Sequence, residues 1–185
     1  MPIINLCSMN QCVMPKLQFR EASPKDAAIV LKIVNDAYRT EGGWTTESHL
    51  VVGDRLVEED FLKDVSDPKK CMLIASDKGV DVACIQLTQE EAQVHFSLLA
   101  VPPSAQNNGY ASELLQYAES LAQQKYHANQ AVMHVLDVRQ DLLAFYYRRG
   151  YQRLDEYLPF PMGLNVGKPI DQNLMLEVIA KPLNK

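Results

Sequence analysis

The residues Gln106, Asn107, Asn108, Gly109, Tyr110 and Ala111 sit in a stretch, VPPSAQNNGYASELL, that has the makings of a pyrophosphate grip. A multiply charged phosphate is held well where amide hydrogens converge from a loop onto a helix N-terminus, because the first N–H groups of a helix have no acceptor within it. Pro102 and Pro103 stop the strand that ends at Val101. Asn107, Asn108 and Gly109 all accept positive φ. A helix then starts at once, with Ser112 in its first turn. Taken alone, the same letters also describe an Asn-Gly turn before a surface helix.

A second group of residues could move protons or hold an acceptor. His95 lies six residues before Val101, on the same strand face as Ser97 and Leu99. An imidazole with the usual pKa near 6.5 suits removal of a proton from an ammonium. The alternative is a half-buried strand histidine with a structural role. Between two predicted helices runs GWTTESHLVVGDR, in which Trp44 and Glu47 could receive a cationic amine through cation-π contact and charge, with Arg55 closing the pattern. The alternative there is a loop anchored by Trp44, with Glu47 and Arg55 solvated. Cys7, Cys12, Cys71 and Cys84 form no CxxC pair and stand near no histidine at ligand spacing, so no metal is expected.

These residues need a scaffold, and the periodicities supply one. Leu17, Phe19 and Glu21 alternate as a first strand, and Ser23, Pro24 and Asp26 open a helix over about 24–40 that carries Val30, Leu31, Val34 and Tyr38 on one face. A second helix is predicted over 57–67. CMLIASD and VDVACIQLT form a hairpin around Lys78-Gly79, and 94–101 adds a third strand to an antiparallel meander. The helix from Gly109 to about Tyr126 shows Leu114, Leu115, Ala118 and Ala122 on one side. AVMHVLDV, DLLAFYYRR, YQRLDEYL and NLMLEVIAKPL then read as strand, helix, strand and strand.

The run LLAVPPSAQNNGYASELL resembles motif A of the GNAT superfamily of acyl-CoA N-acyltransferases, (Q/R)xxGx(G/A), with Gln106, Gly109 and Ala111 at the defining positions. About thirty residues on, DLLAFYYRRGYQRL is similar to the family's second signature, AxxxYxxxG(F/Y), through Ala144, Tyr146, Gly150 and Tyr151. The resemblance implies acetyl-CoA as cosubstrate, with its pyrophosphate on the loop amides and its pantetheine arm paired along Leu99, Ala100 and Val101. It also implies Tyr146 as the acid that protonates the CoA sulfur, and some members carry a base where His95 stands. Arg139 replaces the usual Asn at a cofactor contact. The GWTTExxxxxxxR pattern is similar to one at the acceptor site of an uncharacterised subgroup. An amide of Leu99 or Ala100 would meet the oxyanion.

The implied fold is α+β, a mixed α/β arrangement with a mostly antiparallel central sheet of about seven strands and about four helices on its faces. The implied reaction is acetyl transfer to a primary amine of a small molecule or peptide. A CoA-binding sensor without turnover is the alternative, and a homodimer would fit such a fold. The chain has 185 residues and a formal charge of -5, which disfavours nucleic acid and anionic membranes as partners. No apolar run reaches the roughly 18 residues of a bilayer span, and the first residues lack a basic leader with an apolar core. A cytoplasmic protein is therefore expected, with 1–13 a disordered extension and 14–185 one acyltransferase domain.

Overall fold

Alternation on the strands and 3.6-residue periodicity on the helices place apolar side chains on both faces of one sheet. The computed structural model describes residues 17–183; the extension expected at 1–13 lies outside them. Strands β1 (Gln18–Glu21), β3 (Lys70–Asp77), β4 (Val80–Glu90), β5 (Gln93–Ala100), β6 (Gln130–Leu136), β7 (Gln152–Pro159) and β9 (Met175–Pro182) form a seven-stranded sheet in the order β1-β3-β4-β5-β6-β9-β7. Every neighbouring pair is antiparallel except β5 and β6. The α+β class expected from the sequence is the one observed.

Helix α1 (Ala27–Arg39) follows a 3-10 turn at Pro24–Asp26, where Asp26 accepts hydrogen bonds from the Ser23 N–H (2.8 Å) and hydroxyl (2.9 Å). Val30, Ile33, Val34 and Ala37 pack with Phe61 of α2 (Glu58–Ser66) on Met72, Ile74 and Cys84. The alternate strand residues Leu73, Ala75 and Ile85 point to the other face. They meet Leu114, Leu115, Ala118 and Ala122 of α3 (Tyr110–Tyr126), together with Leu143 and Tyr146 of α4 (Gln140–Tyr147).

Two short strands were not legible in the sequence. β2 (Val51–Val52) pairs with β8 (Lys168–Pro169), joining the 40–55 loop to the 159–169 loop. A two-residue strand has no period to read. Its packing leaves no room for a side chain at Gly167, where a Cβ would meet Val51 Cγ1 and Val52 O at 2.7 Å. Arg39 anchors both loops by donating to Gly53 O (2.5 Å) and Val166 O (2.9 Å).

The sheet splits where β5 ends. Gln86 pairs with Ser97 and Cys84 with Ala100, so β5 carries an extra residue there, and Leu98 takes φ 52°. Pairing of β5 with β6 stops at Phe96–Met133, whereas β6 continues on β9 to Leu136. The end of β5 is left without a partner on that side.

Candidate active site

The 101–112 segment takes the form that a grip on an anion requires. After Val101 a 3-10 turn spans Pro103–Ala105, Asn107 lies at φ 64°, and Gly109, at φ 82°, caps α3. Asn107 and Gly109 use the left-handed region; Asn108 does not need it, and its side chain donates to the carbonyls of Ala105 and Gln106 (3.0 Å each). A cavity of about 290 Å³ opens beside this turn. Of the expected cofactor residues, Leu99, Val101, Gln106, Asn107, Gly109, Tyr110 and Ala111 line it, together with Phe145 and Tyr146. Ala100, Asn108, Ser112 and Arg139 do not.

A second cavity, of about 760 Å³, lies on the other side of the β5 end. Glu47, Arg55 and His95 line it, as do Tyr38, Leu99 and Tyr146. Leu99, Leu142 and Tyr146 border both cavities, so the two meet at the splayed strand end and at one tyrosine. Tyr146 is 6% exposed and packs edge-on against Phe145 (centroids 5.2 Å) and Tyr151 (5.7 Å). Burial raises its pKa, and Tyr38 nearby adds to the rise. Its hydroxyl therefore keeps its proton at neutral pH. Tyr38 donates to Leu99 O (3.1 Å), fixing the carbonyl where the cavities join.

The structure moves three expected roles. Trp44 borders the first cavity, not the second, with its ring 5.2 Å from that of Phe145. Its N–H donates to Gln106 Oε1 (2.8 Å), while Gln106 Nε2 donates to Val101 O (2.9 Å). Arg139 gives its guanidinium to the carbonyls of Trp44 (2.7 Å), Thr45 (3.3 Å) and Thr46 (3.0 Å) and to Asp141. It braces the 44–46 loop and borders neither cavity. Glu47, expected to attract a cation, is held by Arg39 at 3.1 Å.

Two neighbours escaped the sequence. Arg149 lies over the Phe145 ring, 3.4 Å from its centroid, and donates to the Ser112 hydroxyl in the first turn of α3. This puts a positive charge beside the helix N-terminus that the loop itself lacks. His134 packs on His95 with ring centroids 4.3 Å apart. Only the parallel register of β6 on β5, with His95 opposite Val132, puts the two imidazoles together.

His95 has its pKa lowered to about 4, first by burial and then by His134 and Arg55. Its Nε2 is buried without a hydrogen-bond partner among the described residues. An unfolded chain takes up a proton here below about pH 6.5, the folded one only near pH 4. Between those values the unfolded state binds more protons, and stability falls as pH falls. The melting temperature should drop on going from about pH 7 to about pH 5, and should drop less in His95→Leu. An equal drop in both proteins, measured by thermal unfolding, would remove His95 as the cause.

Among the described residues no group of His, Cys, Asp and Glu is placed to hold a metal, and no helix is long and apolar enough to cross a membrane. The model of the Acetyltransferase (GNAT) family matches residues 30–151. Among functionally curated proteins no sequence matches the chain. Solved structures do share its fold. An N-acetyltransferase from Staphylococcus aureus superposes with TM-score 0.67 at 18% identity, covering 91% of this chain and 99% of its own. The PaiA N-acetyltransferase of Thermoplasma acidophilum, solved in complex with coenzyme A, gives TM-score 0.66 at 16% identity, with coverage of 90% and 98%. The spermidine/spermine N-acetyltransferase SpeG of Vibrio cholerae, in complex with manganese ions, gives 0.65 at 13% identity, with coverage of 91% and 93%.

Proposed function

The chain belongs to the GNAT acetyltransferase family, and on that premise we propose that it transfers an acetyl group from acetyl-CoA to a primary amine of a small molecule or peptide. The observation that carries the proposal is the meeting of the two cavities at Leu99 and Tyr146. A thioester entering from the first cavity then faces an amine held in the second.

The CoA pyrophosphate sits on the amides of the turn before α3, with Arg149, just past the end of α4, contributing charge. The pantetheine arm takes the strand edge that β6 leaves unpaired at Leu99–Val101. The amine nitrogen attacks the thioester carbonyl, and the oxyanion is met by the amide of Leu99 or Ala100. Collapse breaks the C–S bond, and the departing thiolate takes its proton from the Tyr146 hydroxyl. The nitrogen loses a proton to water, and Tyr146 is reprotonated from solvent.

His95 stands four residues before Leu99 on β5, roughly 13 Å along the strand. It therefore reaches the amine through water, and its lowered pKa makes it a weak acceptor unless an anion lies nearby.

Acetyl-CoA should raise the melting temperature of the protein, and a broad amine panel should include an acceptor that releases free CoA thiol. Stabilisation by CoA with no thiol release from any amine would support a binding module in place of the enzyme. No stabilisation at all would remove the cofactor reading as well.

A further inference from the structure

The charges in the second cavity are not equivalent. Glu47 is neutralised by Arg39, the two side chains being 11% and 12% exposed. Further out, Asp64 is held by Lys70 (2.6 Å) and by Gln86 Nε2 (2.8 Å), and Lys63 lies 3.8 Å from Asp60. Asp67 Oδ1 accepts from the Lys69 N–H. Glu90 pairs with Gln93 at the start of β5, seven residues from Ala100, which is roughly 23 Å along the strand. Glu47, Asp60 and Asp64 thus each have a cation beside them, and Glu90 is remote from the place where the cavities join.

Arg55 is the exception. Its guanidinium lies over the Tyr38 ring, 5.4 Å from the centroid, and that tyrosine's hydroxyl holds Leu99 O. The residue is half-buried, and among the described residues its guanidinium has neither an ion-pair nor a hydrogen-bond partner. Its position is built: Asn35 Oδ1 accepts from the N–H groups of Arg55 (2.8 Å) and Leu56 (3.2 Å), and Asn35 Nδ2 donates to Leu56 O (3.0 Å). A half-buried guanidinium with no counter-charge beside it offers its planar fork of donors to an incoming carboxylate. The nearby His95 imidazole, which this charge disfavours as a cation, points the same way.

We propose that the acceptor is an amine carrying a carboxylate, of the amino-acid class, and that Arg55 binds the carboxylate while the amine faces the thioester. The expectation of a cationic acceptor on Trp44 and Glu47 is replaced, because one borders the other cavity and the other already has its cation. The proposal rests on the acetyl-transfer reading above but makes a separate statement about binding.

The test uses the full chain with acetyl-CoA and three sets of probes: the standard L-amino acids, their carboxamides, and the polyamines putrescine and spermidine. Thiol release should favour at least one amino acid over its own amide by roughly 10- to 100-fold in kcat/KM, the range for a hydrogen-bonded charge pair. Arg55→Gln should bring that acid down to its amide, chiefly through KM, and Arg55→Lys should restore part of the preference. CoA stabilisation of both variants should match that of the wild type, which excludes a folding defect. Preference for amides or polyamines, or a preference that survives in Arg55→Gln, would overturn the proposal while leaving acetyl transfer standing. If no probe releases thiol, calorimetry of the amino acids on CoA-loaded protein decides: binding lost in Arg55→Gln upholds the site, and no binding by any of them overturns it.

Discussion

Tyr146→Phe is expected to lower kcat by roughly 10- to 1000-fold, with CoA stabilisation unchanged. The hydroxyl is a small part of a side chain that is 6% exposed, and the remaining ring keeps its edge contacts with Phe145 and Tyr151. No hydrogen bond that holds the fold is lost with it among the described residues, so stability should change little. Burial raises the pKa of the group, which secures the proton before the reaction. The same burial disfavours a free tyrosinate, so the proton moves as the C–S bond breaks, when negative charge has developed on sulfur. Loss of the hydroxyl removes an interaction made only in the transition state, and such losses appear in kcat and not in binding. Steady-state thiol release under saturating acetyl-CoA checks this. Unchanged kcat would take Tyr146 out of the chemistry and make the aromatic cluster a structural wall between the cavities.

The neighbouring tyrosine makes a useful control. Tyr147, one residue on, is turned by about 100° around α4 and donates to Glu177, which Arg153 also holds at 2.7 Å. In the sequence the three aromatics Phe145, Tyr146 and Tyr147 were separable only by their register to Gly150. The structure separates them by what each one touches.

That contrast shows which parts of the site can be read from residue order. Motif spacing found the turn, since Gly109 and Asn107 must adopt conformations few residues accept. Hydrophobic period found the helices and the central strands, because they bury apolar side chains, whereas the edge strands β1 and β7 are mostly exposed and carry a weaker pattern. What stayed hidden depends on long-range pairing. Arg139 reaches the carbonyls of Trp44, Thr45 and Thr46 across more than ninety positions, and nothing in the local pattern marks it as a brace. Glu47 reads as a free carboxylate until Arg39, eight residues earlier, is seen to neutralise it. The Arg149–Ser112 contact likewise arises where the segment after α4 reaches the first turn of α3, and the His95–His134 pair from the pairing of β6 with β5. Residue types could therefore nominate Glu47, Arg55 and His95, which line the second cavity, but could not show which charges there are already paired.

Gly109→Val should weaken CoA binding by about 10- to 100-fold while the protein still folds. Gly109 lies at φ 82°, where a β-branched residue is strained by about 1–2 kcal/mol or more. Apart from the adjoining residues Asn108 and Tyr110, nothing among the described residues lies within 4 Å of the position a Cβ would take, so the fold itself offers no clash. The chain can relieve the strain only by turning the peptide at the head of α3, and that turns the amides away from the direction in which they converge. Gly109→Asn separates the two ways in which glycine could matter. Asparagine accepts the left-handed region, as Asn107 already does at φ 64°, so it should bind CoA nearly as the wild type does if backbone conformation is what counts. If Asn is as damaging as Val, the pyrophosphate comes close enough to exclude any side chain. Calorimetric titration of CoA into both variants distinguishes these cases, and wild-type affinity in Gly109→Val would place the cofactor somewhere other than this turn.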